Sequence, residues 1–111
     1  MTNNTMTIDG VTAVIAYDPD INQFRGTFLG LNGGADFYAD DITGLKREGA
    51  LSLKVFREAC AEDGVEPLRN YSGRFVVRAD PEIHAAAVQV AAAQGKSLNQ
   101  FVVEALRHAV G

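Results

Sequence analysis

The chain is expected to fold as an α+β protein: a small antiparallel sheet with one long helix, then a short strand followed by two helices. Three observations predict this. Apolar side chains alternate at period two over residues 11–17 and 24–29, as half-buried strands require. Apolar positions then recur at steps of three and four from residue 42 to 60, the mark of a helical stripe. Beyond residue 72 a five-residue alternating run precedes two more helical stripes.

In the first strand Val11, Ala13, Ile15 and Tyr17 alternate with Thr12, Val14 and Ala16, all strand-forming or small residues. Asp18-Pro19-Asp20 ends it, because proline fixes φ and the Asp side chains can bond to nearby backbone. The alternation resumes over 24–29, Asn32-Gly33-Gly34 supplies a second turn, and 35–39 forms a short third strand. A three-stranded meander is the simplest arrangement.

Asp40 or Asp41 then offers an N-cap for a long helix whose apolar stripe is Ile42, Leu45, Gly49, Leu53, Phe56 and Cys60. Gly64 ends it, with Pro67 beyond as a stop. Sheet and covering helix make one small unit, 1–71. Residues 65–72 read as a linker or a last edge strand, and the second unit is 72–111.

That second unit opens on Phe75 and Val77 alternating with Arg74, Val76 and Arg78. Asp80-Pro81-Glu82 starts a helix with an N-cap acid, a proline at its first position and an acid in its first turn. Ile83, Ala86, Ala87, Val90 and Ala91 form its stripe, and Gly95 closes it. Ser97, three residues before Gln100, sets up a capping box for a last helix. On it Leu98, Phe101, Val102, Ala105, Leu106 and Ala109 make one wholly apolar face. A five-residue strand cannot satisfy its own backbone. A strand and two short helices also bury too little surface to fold alone. Pairing two copies answers both needs, giving a two-stranded ribbon and a four-helix core built on Phe75, Val77, Ile83, Leu98, Phe101, Val102 and Leu106. A homodimer or a higher even-numbered oligomer is expected.

Composition narrows the functional classes. The 111 residues are 47% apolar and 22% charged, an ordinary foldable protein rather than a disordered one. The longest nearly apolar run, 85–93, is broken by Gln89 and falls well short of the roughly 20 residues that span a bilayer. Residues 1–9 carry no basic residue and no apolar segment, unlike a secretory signal. The expected compartment is the cytoplasm, with no membrane partner. Cys60, the single cysteine, cannot form an internal disulfide or a cysteine-based zinc site and reads as a small buried hydrophobe beside Phe56 and Ala59.

His84 and His108 are the only histidines and read as structural or surface residues. Asp36, Asp40, Asp41, Glu58, Glu62 and Asp63 fall on helix ends and a solvated face rather than in a metal-ligand pattern. No nucleophile triad, phosphate loop or paired acid and base is recognisable, so neither enzyme chemistry, a cofactor nor a metal is expected. The net charge of −4 is unevenly spread. Residues 1–71 hold six Lys and Arg against eleven Asp and Glu, a balance of −5, and residues 72–111 hold four against three, a balance of +1.

The segment 72–109, SGRFVVRADPEIHAAAVQVAAAQGKSLNQFVVEALRHA, resembles the ribbon-helix-helix end of HicB-type antitoxins. The landmarks are Gly73-Arg74-Phe75, Arg78, Asp80-Pro81-Glu82-Ile83-His84, Gly95 and Ser97-Leu98-Asn99-Gln100-Phe101. The N-terminal part resembles the HicB α+β domain more loosely, through a hairpin with Gly26 and a helix ending Glu62-Asp63-Gly64-Val65-Glu66-Pro67. The likeness spans residues 11–110.

The resemblance implies that the ribbon enters the DNA major groove, which admits two strands. If Phe75 and Val77 face the core, Arg74, Val76 and Arg78 face the bases. Val76 departs from the polar residue common at that middle position. Lys96, Ser97, Leu98 and Asn99, at the start of the last helix, would hold phosphate. Plainer readings stand beside these: Arg74 and Arg78 as solvated charges that guard an edge strand, and Ser97 with Gln100 as a cap and nothing more.

The implied function is that of an antitoxin in a type II HicA/HicB-like toxin-antitoxin system. It would neutralise a small basic ribonuclease toxin through its N-terminal domain and repress its own operon by binding operator DNA as a dimer. The acidity of residues 1–71 suits a basic partner. The alternative is a stand-alone ribbon-helix-helix regulator, an orphan of the family without a toxin.

Overall fold

The computed structural model describes residues 4–111, so the first three residues of the segment read as lacking an export signal lie outside the described residues. The chain divides into two compact units, one ending at Ser72 and one spanning Gly73–Gly111.

The first unit is a meander of β1 (Thr5–Ile8), β2 (Val11–Asp18), β3 (Gln23–Phe28) and β4 (Asp36–Ala39), all antiparallel in that spatial order, covered by α1 (Ile42–Asp63). It has one strand more than sequence periodicity predicts. Strand β1 pairs Ile8 with Val11 across a two-residue turn, Asp9-Gly10, in which both residues take positive φ, 47° and 83°. That turn twists with the strands it joins and is favoured by an Asp-Gly pair, so the signal for the extra strand lies in the turn rather than in the alternation. At the next turn Asp20 N donates to Asp18 Oδ1 at 3.0 Å, as the Asp-Pro-Asp sequence predicts.

The core lies between the inner sheet face and α1. Ile8, Val11, Ala13, Phe28, Phe37 and Ala39 meet Leu45 and Leu53, and Met6, Ile15, Phe24 and Phe56 pack on that cluster. Phe37 is central. It pairs in register with Gly26 of β3, and its ring stacks tilted against Phe28 with centroids 4.9 Å apart. A Cβ on Gly26 would lie 2.1 Å from the Phe37 ring, and one on Gly49 of α1 would lie 2.3 Å from Ile8 and 3.1 Å from the same ring. Two missing side chains, one in the sheet and one in the helix, thus make the slot for one aromatic. Gly26→Ala is expected to destabilise this unit by about 1–3 kcal/mol or more, the cost of overpacking a filled core. A denaturant melt with an unchanged midpoint would overturn that packing.

Helix α1 begins at Asp41, whose carboxylate accepts from Gly44 N at 2.7 Å, and it ends at Gly64 in the left-handed conformation. Leu45, Gly49, Leu53 and Cys60 are buried as the stripe predicts. Ile42 is not: at 64% exposure it departs from the expected stripe. It is the first residue of α1, and burial along the helix starts only at Gly44 and Leu45. After α1 the chain returns along the β3–β4 connection. Asn32 N donates to Pro67 O at 2.8 Å and Arg69 N to Gly30 O at 2.9 Å, leaving a single bridge between Leu31 and Leu68 rather than a strand.

The second unit consists of residues 74–80, which carry no regular element, then α2 (Pro81–Ala93) and α3 (Leu98–Val110) packed on each other. No strand forms near residues 74–78 in the single chain, where the sequence predicts one. Pro81 occupies the first helical position, but Asp80 makes no side-chain cap bond, contrary to expectation, and contributes its carbonyl to His84 N at 2.9 Å. Gly95, with φ 68°, reverses the chain. Its amide bonds Ala92 O at 3.0 Å and Lys96 N bonds Ala91 O at 2.9 Å, the paired bonds of a glycine-closed helix end.

Candidate nucleic-acid interface

The second unit leaves its apolar surface open. Among its described residues Ala91 alone is buried, and α3 buries none although one of its faces is apolar throughout. Phe75 is 67% exposed and Val77 64%. Leu98, Phe101 and Val102 are half-buried, while Ile83 and Leu106 are exposed. The side chains expected to form a shared core are therefore wholly or partly uncovered in one copy of the chain.

Their arrangement follows from the alternation. Phe75 and Val77 line one groove with Leu98, Val102 and Leu106, a trough of about 440 Å³ floored by the apolar face of α3. Val76 and Arg78 do not line it, and Val76 is 89% exposed. Over residues 75–78 the odd positions thus line the groove and the even ones do not, the separation that an alternating segment gives. Arg74 is the exception: it lines the groove beside Phe75, at the Gly73 turn with φ 86°. Asn99 and Val103 line it too, and Val103 lies outside the apolar face that sequence spacing marks on α3. Ile83 and Phe101 lie outside this groove.

The start of α3 is fully capped. Gln100 N donates to Ser97 Oγ at 3.1 Å, and Ser97 N donates to Gln100 Oε1 at 3.0 Å. The cap uses one lone pair of the Ser97 hydroxyl, whose own O–H can still donate to an anion. The amides of Leu98 and Asn99 occupy the first two helical positions, where an α-helix offers no internal acceptor. Here the helix dipole also favours negative charge. The chemistry open to this end is anion binding by amides and a hydroxyl.

Lys96, expected to add a cation there, is already engaged: its ammonium donates to Glu104, two turns into α3. From the sequence Glu104 counts only as one negative charge. An offset of eight residues is outside the three- and four-residue spacings by which helical ion pairs are recognised. The candidate interface residues thus fall into two groups: Arg74, Phe75 and Val77 lining the groove over α3, and Lys96, Ser97, Leu98 and Asn99 around its start.

His84 and His108 are both exposed, and among the described residues no group of three or more His, Cys, Asp and Glu gathers to hold a metal. Cys60 is buried and free, as expected of a small hydrophobe. Among the described residues no helix is long and apolar enough to cross a membrane.

No curated protein and no solved structure matches the chain. Residues 56–106 match the model of the HicB family. Over that stretch, from the second half of α1 into α3, the chain is similar to the HicB antitoxin family that its sequence resembles.

Proposed function

We propose that this protein is an antitoxin of a HicA/HicB-like system, one that neutralises a small basic ribonuclease and represses its own operon as a ribbon-helix-helix dimer. The observation that carries the reading is the open apolar surface of the second unit. A unit of this size that fully buries one residue, and exposes Phe75, Val77 and much of a helix face, is incomplete as a single copy. A second copy would pair residues 74–78 into a ribbon and cover the groove over α3. The outward set would then meet the major groove, where arginine can pair with guanine and a valine can touch a thymine methyl. The helix starts would flank the ribbon and receive backbone phosphates.

Toxin neutralisation rests on the family match and on charge. Residues 1–71 carry a balance of −5, which speeds and selects association with a basic partner. The cytoplasm, where operator and toxin would both be found, is the matching compartment.

Co-purification of the full chain from its native operon, followed by binding of the product to its own promoter duplex, tests both activities. A small basic protein in the complex is the expected result. Promoter binding with no such partner would favour the stand-alone regulator instead, and no promoter binding would remove the repressor role. Because the unit ending at Ser72 has its own core, residues 1–72 are expected to bind the toxin while losing DNA. Isothermal titration of that fragment against the neighbouring gene product checks this, and no heat from the fragment alongside binding by the full chain would move the toxin site elsewhere.

A further inference from the structure

We infer that Glu104 is a built-in brake on DNA affinity: by pairing with Lys96 it competes with the phosphates that the start of α3 would otherwise hold. The inference rests on the DNA-binding reading and adds a regulating residue to it.

Lys96 immediately precedes the N-cap Ser97, the place from which a flexible ammonium can join the first amides of α3 in gripping one anion. Its ammonium bonds Glu104 instead. Glu104 stands six residues past Leu98, roughly 9 Å of axial rise, so the pair draws the ammonium toward the body of the helix and away from its start. Both side chains remain partly exposed, at 35% and 51%, which leaves the pair open to exchange. A phosphate therefore has to displace a carboxylate, and its hold on the ammonium is weakened by the pair it replaces.

This competition acts on the backbone phosphates, not on the bases. It should reduce affinity for every sequence by a similar factor and leave the preference for the operator unchanged.

The test uses the full chain and two probes, the promoter duplex and a random duplex of equal length, titrated at several salt concentrations. Glu104→Gln is expected to bind both about threefold to tenfold tighter at low salt, given the usual worth of an exposed ion pair and two copies in the dimer. The gain should shrink as salt rises. Glu104→Ala should behave alike, and its melting transition guards against a folding artefact. In the Lys96→Ala background less than half of that gain should remain, because there is no ammonium left to release. Retention of more than half would show simple removal of a negative charge and overturn the inference, as would a Glu104→Gln protein with wild-type affinity. In both cases wild-type binding would leave the DNA-binding reading standing. Failure of the wild-type chain to bind either duplex would instead overturn that reading and this inference together.

Discussion

Phe75→Lys is expected to leave the chain monomeric and to melt the Gly73–Gly111 unit, while the unit ending at Ser72 keeps its structure. In one copy Phe75 is two-thirds exposed and lines the groove over α3, so most of its ring is left unshielded within the chain. Only a partner can cover the rest. Truncating a buried phenylalanine costs about 3–5 kcal/mol, and putting an ammonium in its place adds an unpaired buried charge. Each dimer suffers the change twice. A unit this small has little stability in reserve, since domains below about 40 residues seldom fold without a staple or a partner. Light scattering and the far-ultraviolet melt of the variant give the answer. A variant that stays dimeric with an unchanged melt would mean that residues 74–78 are not the dimer ribbon.

Local chemistry carries most of the fold, and the exceptions share a cause. Helix α1 is legible from Asp41 and Gly64, and α3 from Ser97 and Gln100, because caps depend on residues within a turn of each other. The meander is legible through Asp18-Pro19-Asp20 and Asn32-Gly33-Gly34. Strand β1 escapes a search for alternation: four residues, two of them threonine, make a weak pattern, and Asp9-Gly10 is the stronger signal. Ile42 fits the stripe by spacing yet lies outside it, since periodicity does not say where along a helix the sheet begins. At the candidate interface the separation of Phe75 and Val77 from Val76 and Arg78 follows from alternation. The Lys96–Glu104 pair does not, because it depends on how a side chain runs along α3 after the Gly95 reversal.

The steepest fall in operator binding is expected from replacing Arg74 and Arg78 together with alanine. Both are exposed, and in an antiparallel pair each protomer contributes both, so the ribbon presents its positive charge on an otherwise acidic protein. Arginine is the side chain best shaped for guanine, donating two parallel bonds to O6 and N7 in the major groove. Removing one arginine–guanine pair should cost about 1–3 kcal/mol on the operator and relax preference at that base pair. Random duplex should suffer less, since the phosphate grip at the start of α3 persists. The two arginines need not contribute equally: Arg74 lines the groove beside Phe75, and Arg78 does not, so the single variants separate a groove-side from an outward guanidinium. Dimerisation should survive in all of them, because the apolar set over α3 is intact. This contrasts with Phe75→Lys, which should lose dimer and DNA together. Operator and random-duplex affinities measured side by side at several salt concentrations decide the matter; a double variant that still prefers its operator as strongly as the wild type would rule out the ribbon as the element that reads sequence.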